Sequence, residues 1–324
     1  MVNRCRLIYS IREKTVNILL SYTHIPVTTA AYLEKAMRRI CGVITHGPTA
    51  SREMLGNWDL LAVENKVRYH QIPLLDGDID RVLRKLPTGW NPDVFLFVDT
   101  CAFYPLNNLG SLKCVKVCYL IDAHINFDHH LQCAKYFDVV FVAHKPAVET
   151  FRERGIKNVF WIPPACDPEI HGRKVNEKLY DVGFVGNLDP ESNPERVRLL
   201  NELKQRFNVY SERCFLEEMS KVFSRSKIVF NKSIADGLNM RVFEVLASGS
   251  MLLTNEANGS GLQDLFQDRK HLVIYKNENE LIELADYYLR NDEEREEIAA
   301  EGMKKVLNEH TYGHRAEEMV RILS

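Results

Sequence analysis

The densest set of polar side chains at fixed offsets lies in NKSIADGLNMRVFEVLASGSMLLTN, which begins at Asn231. Asp236 and Gly237 form a turn signal, and Asn239 stands where an N-cap would accept a bond from an orphan backbone N–H. A helix starting at Met240 then points its unpaired N–H groups and positive dipole end beyond the sheet's carboxyl edge, a site suited to a diphosphate. Arg241 in the first turn opposes that dipole, and a bound anion removes the conflict. Glu244 follows three residues later and has two readings. It pairs with Arg241 across the helix surface, or it accepts hydrogen bonds from the two hydroxyls of a ribose while Arg241 meets phosphate.

A second candidate group follows the strand-like KVCYLI. Asp122 and His124 fall at its carboxyl end, where a carboxylate could orient an imidazole as general base toward an acceptor hydroxyl. Alternatively, Asp122 caps the next helix and His124 is a loop residue. His129 and His130, on that helix, read as surface residues. His24 follows the first strand and is a candidate acceptor contact, with His144 and Lys145 as weaker ones.

Elements that could position these groups alternate along the chain. Short β-branched runs predict strands over 16–22, 94–98, 115–121, 139–142 and 159–162, with helices over 28–40, 127–136 and 145–154. Residues 45–86 show no clear pattern. After IPPACDPEIHGRKVNEKLY, rich in Pro, charge and turn residues, a second series begins with a strand over 181–187. It continues with strands over 227–230, 251–254 and 272–275, and with helices over 194–207, 240–247, 278–289 and 292–309. Met319, Ile322 and Leu323 give a last helix an apolar stripe that must pack on something. The pattern is α/β, two Rossmann-like halves with parallel sheets.

The 324 residues are 45% hydrophobic, enough for two cores, with 42 Lys plus Arg against 44 Asp plus Glu. A net charge of −2 without a basic run argues against a nucleic-acid partner. The eight cysteines lack paired metal spacing and disulfide-scaffold density, so no metal is expected and reduced thiols in the cytoplasm are. No apolar run reaches the ~18 residues of a membrane span, which leaves at most peripheral membrane contact.

Asp236 and Glu244 are separated by seven residues, and DGLNMRVFEVLASG resembles the acidic-x7-Glu signature of retaining GT-B glycosyltransferases, whose usual first acid is Glu. YLIDAHINFDHHLQCAKYFDVVFVAHK, WIPPACDPEIH, NMRVFEVLASGSMLLTN and the closing HTYGHR resemble, in that order, the CgeB-like (spore maturation protein) branch. The resemblance implies a GT-B fold, with two Rossmann-like domains facing each other across a cleft. An acceptor-binding domain would span 1–170, a donor-binding domain 171–308, and a helix over 309–324 would cross back to the first. It implies transfer of a sugar, UDP-linked by preference, to a glycan, protein or small-molecule hydroxyl, with retention, no metal and no cofactor beyond the nucleotide-sugar co-substrate. The donor set is then Gly186, Asn187, Asn231, Lys232, Gly237, Leu238, Asn239, Arg241 and Glu244, with Asp236 near the sugar. Gly186 and Asn187 end GFVGN, which matches the glycine-bearing turn after the donor domain's first strand. Two features depart from the family: SYTHIPVTT replaces the N-terminal glycine-rich loop, and the Lys that accompanies the diphosphate Arg is missing unless Lys232 substitutes. A nucleotide-sugar epimerase of the same build and a non-catalytic nucleotide-sugar sensor are the alternatives. A dehydrogenase lacks its GxGxxG.

Overall fold

The computed structural model describes residues 15–73, 77–100, 102, 104–123, 125–234 and 237–324. His124 and Asp236 lie outside them. The chain divides into two compact units, Met1–Pro163 with Tyr312–Ser324, and Pro164–Thr311.

The first unit holds a seven-stranded sheet of β1 (Asn17–Ser21), β2 (Gly42–Gly47), β3 (Ile72–Pro73), β4 (Val94–Val98), β5 (Val115–Leu120), β6 (Val139–Val142) and β7 (Val159–Trp161). The strands run parallel in the order β3-β2-β1-β4-β5-β6-β7. All five side chains of β4, VFLFV, are buried, as expected of a parallel strand covered on both faces. Between the strands lie α1 (Thr29–Met37), α2 (Arg52–Asn57), α3 (Ile79–Leu83), α4 (Phe127–Ala134) and α5 (Ala147–Glu153). Residues 45–86, patternless in sequence, thus contribute part of β2, the two-residue β3 and two short helices. Each is too short to show a period.

In the second unit, α6 (Pro168–His171), β8 (Tyr180–Gly183), α7 (Pro194–Lys204), β9 (Val209–Tyr210) and α8 (Leu216–Arg225) are followed by β10 (Ser226–Asn231), α9 (Met240–Ser248) and β11 (Met251–Asn255). Then come α10 (Leu262–Leu265), β12 (Val273–Tyr275), α11 (Glu278–Arg290) and α12 (Asp292–Glu309). The parallel sheet runs β12-β11-β10-β8-β9. Its order reverses between β10 and β8, the position at which open α/β sheets bind ligands beyond their carboxyl ends. Pairing of Val229 with Gly183 and of Asn231 with Thr254 brings three strand ends to that edge. The core combines Val182, Phe184, Ile228, Phe230 and Leu253 of the strands with Leu199, Leu200 and Leu203 of α7.

The last helix, α13 (Tyr312–Leu323), belongs to the first unit. Tyr312 stacks on Tyr32 of α1 at 5.4 Å and its hydroxyl bonds the Thr29 hydroxyl at 3.2 Å, while Arg315 donates to the Pro163 carbonyl at 2.9 Å. The expected apolar stripe is therefore met mainly by Tyr312, Ala316 and Met319, all buried.

Candidate functional site

At the carboxyl ends of β8 and β10, Asn231 is the hub. Its side-chain oxygen accepts from Arg241 Nη1 at 2.8 Å and from Asn239 Nδ2 at 3.2 Å; its own Nδ2 donates to Thr254 Oγ1 at 2.9 Å. Its carbonyl accepts from the Tyr275 hydroxyl at 3.1 Å. Asn231 is 0% exposed, with both ends of its amide engaged.

Asn239 stands at the N-cap of α9 with extended backbone, but its side chain makes no capping bond. It turns back to Asn231 instead, which corrects the expected cap. Its Oδ1 is buried without a hydrogen-bond partner among the described residues, an arrangement that is costly unless something supplies a donor.

Arg241 donates through Nε to the Val185 carbonyl at 2.9 Å and lies over the Phe184 ring, 4.6 Å from its centroid. No carboxylate among the described residues forms an ion pair with it. Burial, with Arg196 nearby, lowers its hold on the proton, and Glu244 only partly offsets this. Arg196 of α7 is 4% exposed and also lies over Phe184, at 5.7 Å. It donates to the Asn187 carbonyl at 3.0 Å and to the Lys232 carbonyl at 2.9 and 3.2 Å. Two guanidinium groups are thus held on backbone carbonyls, each without an anion from the described chain.

Sequence reasoning missed Arg196. The signal was present: in PERVRLLNELK, Arg196 shares the apolar stripe of Leu199, Leu200 and Leu203, whereas Arg198 faces out to pair with Glu278.

Glu244 is 6% exposed, so the surface pair with Arg241 does not exist. Burial raises its carboxyl to about 7, against the pull of Arg241. Its Oε1 is 3.6 Å from Nε2 of His171, a fully buried residue of α6.

The remaining donor candidates surround this core. Gly186 leaves room that a Cβ would fill, 2.1 Å from Arg241 Nη2. Asn187 is exposed, and its side-chain oxygen accepts the Asp189 N–H at 2.9 Å. Lys232 pairs with Glu195 at 3.1 Å. The Gly237 N–H donates to the Ile234 carbonyl at 2.9 Å, and Leu238 is buried.

In the first unit, the Asp122 carbonyl accepts from the Ile125 and Asn126 N–H groups, and Asn126 rather than Asp122 holds the N-cap position of α4. His130 is 0% exposed, contrary to the surface expectation. Its Nε2 meets Asp99, the residue after β4, at 2.6 Å. His24 is 7% exposed; its Nδ1 accepts the Arg68 N–H at 3.3 Å, and its ring faces Tyr22 and His70. Among the described residues, no three His, Cys, Asp or Glu side chains converge as metal ligands. No described helix is long and apolar enough to cross a membrane.

Residues 191–321 match the sequence pattern of a glycosyl transferase-like family. Among proteins of curated function, none matches the sequence. The fold is similar to that of Anabaena Alr3699/HepE in complex with UDP and glucose, with TM-score 0.62 at 11% identity over 95% of this chain and 99% of that one. It is similar also to an alpha-glucosyltransferase in complex with UDP and a 13-mer DNA containing an HMU base, at 0.65 and 10% identity over 96% and 100%. A third similar structure is sucrose-phosphate synthase from Thermosynechococcus elongatus, at 0.61 and 10% identity over 95% and 98%. That fold is shared along nearly the whole length of the chain, and the glycosyl transferase-like pattern lies within it over residues 191–321: the chain has the GT-B fold.

Proposed function

We propose that the protein moves a sugar from a UDP-sugar to an acceptor hydroxyl of a glycan, protein or small molecule, with retention of configuration and without a metal. The second unit holds the donor. The observation that carries this is the pair of inward guanidinium groups, Arg196 and Arg241, at the switch point between β8 and β10, beside the start of α9. A buried and a half-buried cation held on neutral oxygens stabilise an anion placed between them and the helix N-terminus. A diphosphate fits that charge. As the sugar–phosphate bond breaks, negative charge builds on the leaving diphosphate, and donors already fixed in place stabilise it without reorganising.

Glu244 takes the ribose hydroxyls, since a buried acid one helical turn from Arg241 reaches the next group of a nucleotide whose phosphate lies at the helix start. UDP is the preferred nucleotide because structures of the same fold hold it. Retention rests on the acidic-x7-Glu spacing, with donor phosphate serving as base on the face where the acceptor enters. Asp236 is assigned to the sugar, and Asp122, His124 and His24 to the acceptor side. Free thiols at Cys41, Cys114, Cys118, Cys133 and Cys214 fit a reducing cytoplasmic location.

Incubation with a panel of UDP-, GDP- and dTDP-sugars, followed by calorimetry and nucleotide release, tests the reading. Micromolar binding of a UDP-sugar with slow release of UDP, accelerated by an acceptor, is expected, and proton NMR of the product's anomeric centre reports retention. Binding without hydrolysis or transfer to any acceptor indicates a nucleotide-sugar sensor; no response to any nucleotide contradicts both.

A further inference from the structure

We propose that His171 is a positioning residue for Glu244, its Nε2–H fixing the carboxylate that receives the nucleotide's ribose; this rests on the donor-site reading of Glu244. His171 ends the short helix α6, whose N-cap Asp167 accepts the Glu169 N–H at 3.0 Å. The backbone N–H of Asp167 donates to Nδ1 of His171 at 2.9 Å. An imidazole whose Nδ1 lone pair is occupied in this way carries its proton on Nε2 when neutral. That N–H lies 3.6 Å from Glu244 Oε1, with the imidazole 0% and the carboxylate residue 6% exposed. The separation is just beyond a hydrogen bond, and a shift of a few tenths of an ångström closes it.

Among the described residues, the charged and titratable groups facing Glu244 are Arg241 on its own helix and His171 from α6. Arg241 is committed to Val185 and Asn231, so His171 is the donor that can hold one carboxylate oxygen. With Oε1 drawn to the imidazole, rotation about the last side-chain bond stops and Oε2 remains the acceptor for hydroxyls. The same N–H dipole favours the ionised acid, the better acceptor, where burial works against it.

The experiment compares binding of UDP and 2′,3′-dideoxy-UDP by calorimetry. Wild type prefers UDP, and E244Q loses that preference. H171N keeps an acceptor for the Asp167 N–H but has no donor where Nε2 was. It loses about tenfold of the preference through weaker UDP binding, with dideoxy-UDP unaffected. H171Q places an amide N–H near the Nε2 position and restores most of it. In the E244Q background, H171N causes no further loss.

Retention of the full preference by H171N, or equal weakening of both nucleotides, overturns the proposal and leaves a structural histidine. Absence of any preference in wild type, or its survival in E244Q, overturns the ribose reading instead. Should H171N fail to fold, nitrogen-15 histidine spectra of wild type still decide, with H171Q identifying the signal. A proton on Nε2 whose resonance moves in E244Q supports the proposal, and a proton on Nδ1 or an unmoved resonance refutes it.

Discussion

Arg241 keeps a full positive charge between two neutral acceptors, the Val185 carbonyl and the Asn231 side-chain oxygen. A half-buried charge with no ion pair among the described residues is costly to the free protein and valuable to an anionic ligand. R241M is therefore expected to weaken UDP-glucose binding by roughly 10- to 100-fold, the worth of a charge-assisted hydrogen bond, while leaving thermal stability equal or higher. Calorimetry and a melting curve measure the two, and a large loss of stability would contradict the assignment. G186A tests the same group from the other side. Its Cβ would stand 2.1 Å from Arg241 Nη2, the end of a flexible side chain. Gly186 also has φ +158°, so G186A should lose some stability as well as UDP-glucose affinity, the guanidinium having been displaced.

Glu244 gives the pH dependence its sign. Its folded-state value of about 7 lies above the ordinary carboxyl value. The native state therefore holds a proton that the unfolded chain has already released, and this contribution to stability is lost as pH rises toward and through 7. Ribose binding runs the other way, because the ionised acid accepts better. Affinity for UDP-glucose, whose phosphates do not titrate here, should rise by up to about tenfold between pH 6 and 8. E244Q should flatten both profiles, and a slope that persists in that variant would place its source elsewhere.

At the scale of elements, the site depends on how closely α12 approaches α9. A Cβ at Gly302 would come within 2.2 Å of the His271 carbonyl and 2.8 Å of Leu246 Cδ2. The first of these is backbone and cannot swing away, so G302A is expected to cost about 1–3 kcal/mol and lower the melting temperature by several degrees. Buried strands such as VFLFV and long amphipathic helices such as α11 and α12 were legible in the sequence, because several turns or a full run of β-branched and aromatic residues repeat the signal. The two-residue β3 and β9 carry no period of their own, and pairing with neighbours that are distant in sequence defines them. The site divides in the same way. The start of α9 could be read at Asn239 because a turn signal precedes a periodic run. The direction of the Asn239 side chain could not, since it is set by Asn231 eight residues earlier. His130 was misread because its partner, Asp99, stands thirty-one residues away at another strand's end.

Across the whole molecule, the buried histidines of the first unit and Glu244 of the second should respond to acid in opposite directions. Burial pushes His46 and His70 down to about 4, and His24 is lowered as well. Around them stand Tyr22, whose hydroxyl donates to Glu34, and the cations Arg38 and Arg68. A histidine that is neutral when folded and charged when unfolded contributes stability above its ordinary value near 6.5, and loses it as pH falls toward 4. For His46 and His70 the loss is on the order of 3 kcal/mol each. Glu244, in the second unit, gains stability over the same range. Amide exchange at pH 7 and pH 5 should accordingly show protection falling first in β1 and β2, and earlier loss in β10 and β11 would contradict the assignment.

The membership of α13 in the first unit also sets a schedule for synthesis. Residues Pro164–Thr311 are made between the bulk of that unit and the helix that completes it. At about 5–20 residues per second, the ribosome needs roughly seven to thirty seconds to cross them. Throughout that interval Tyr32 and Thr29 of α1 have no Tyr312 to meet. The unit translated first is thus the last to be finished, and the nascent chain carries an uncovered α1 surface while the second sheet is assembled.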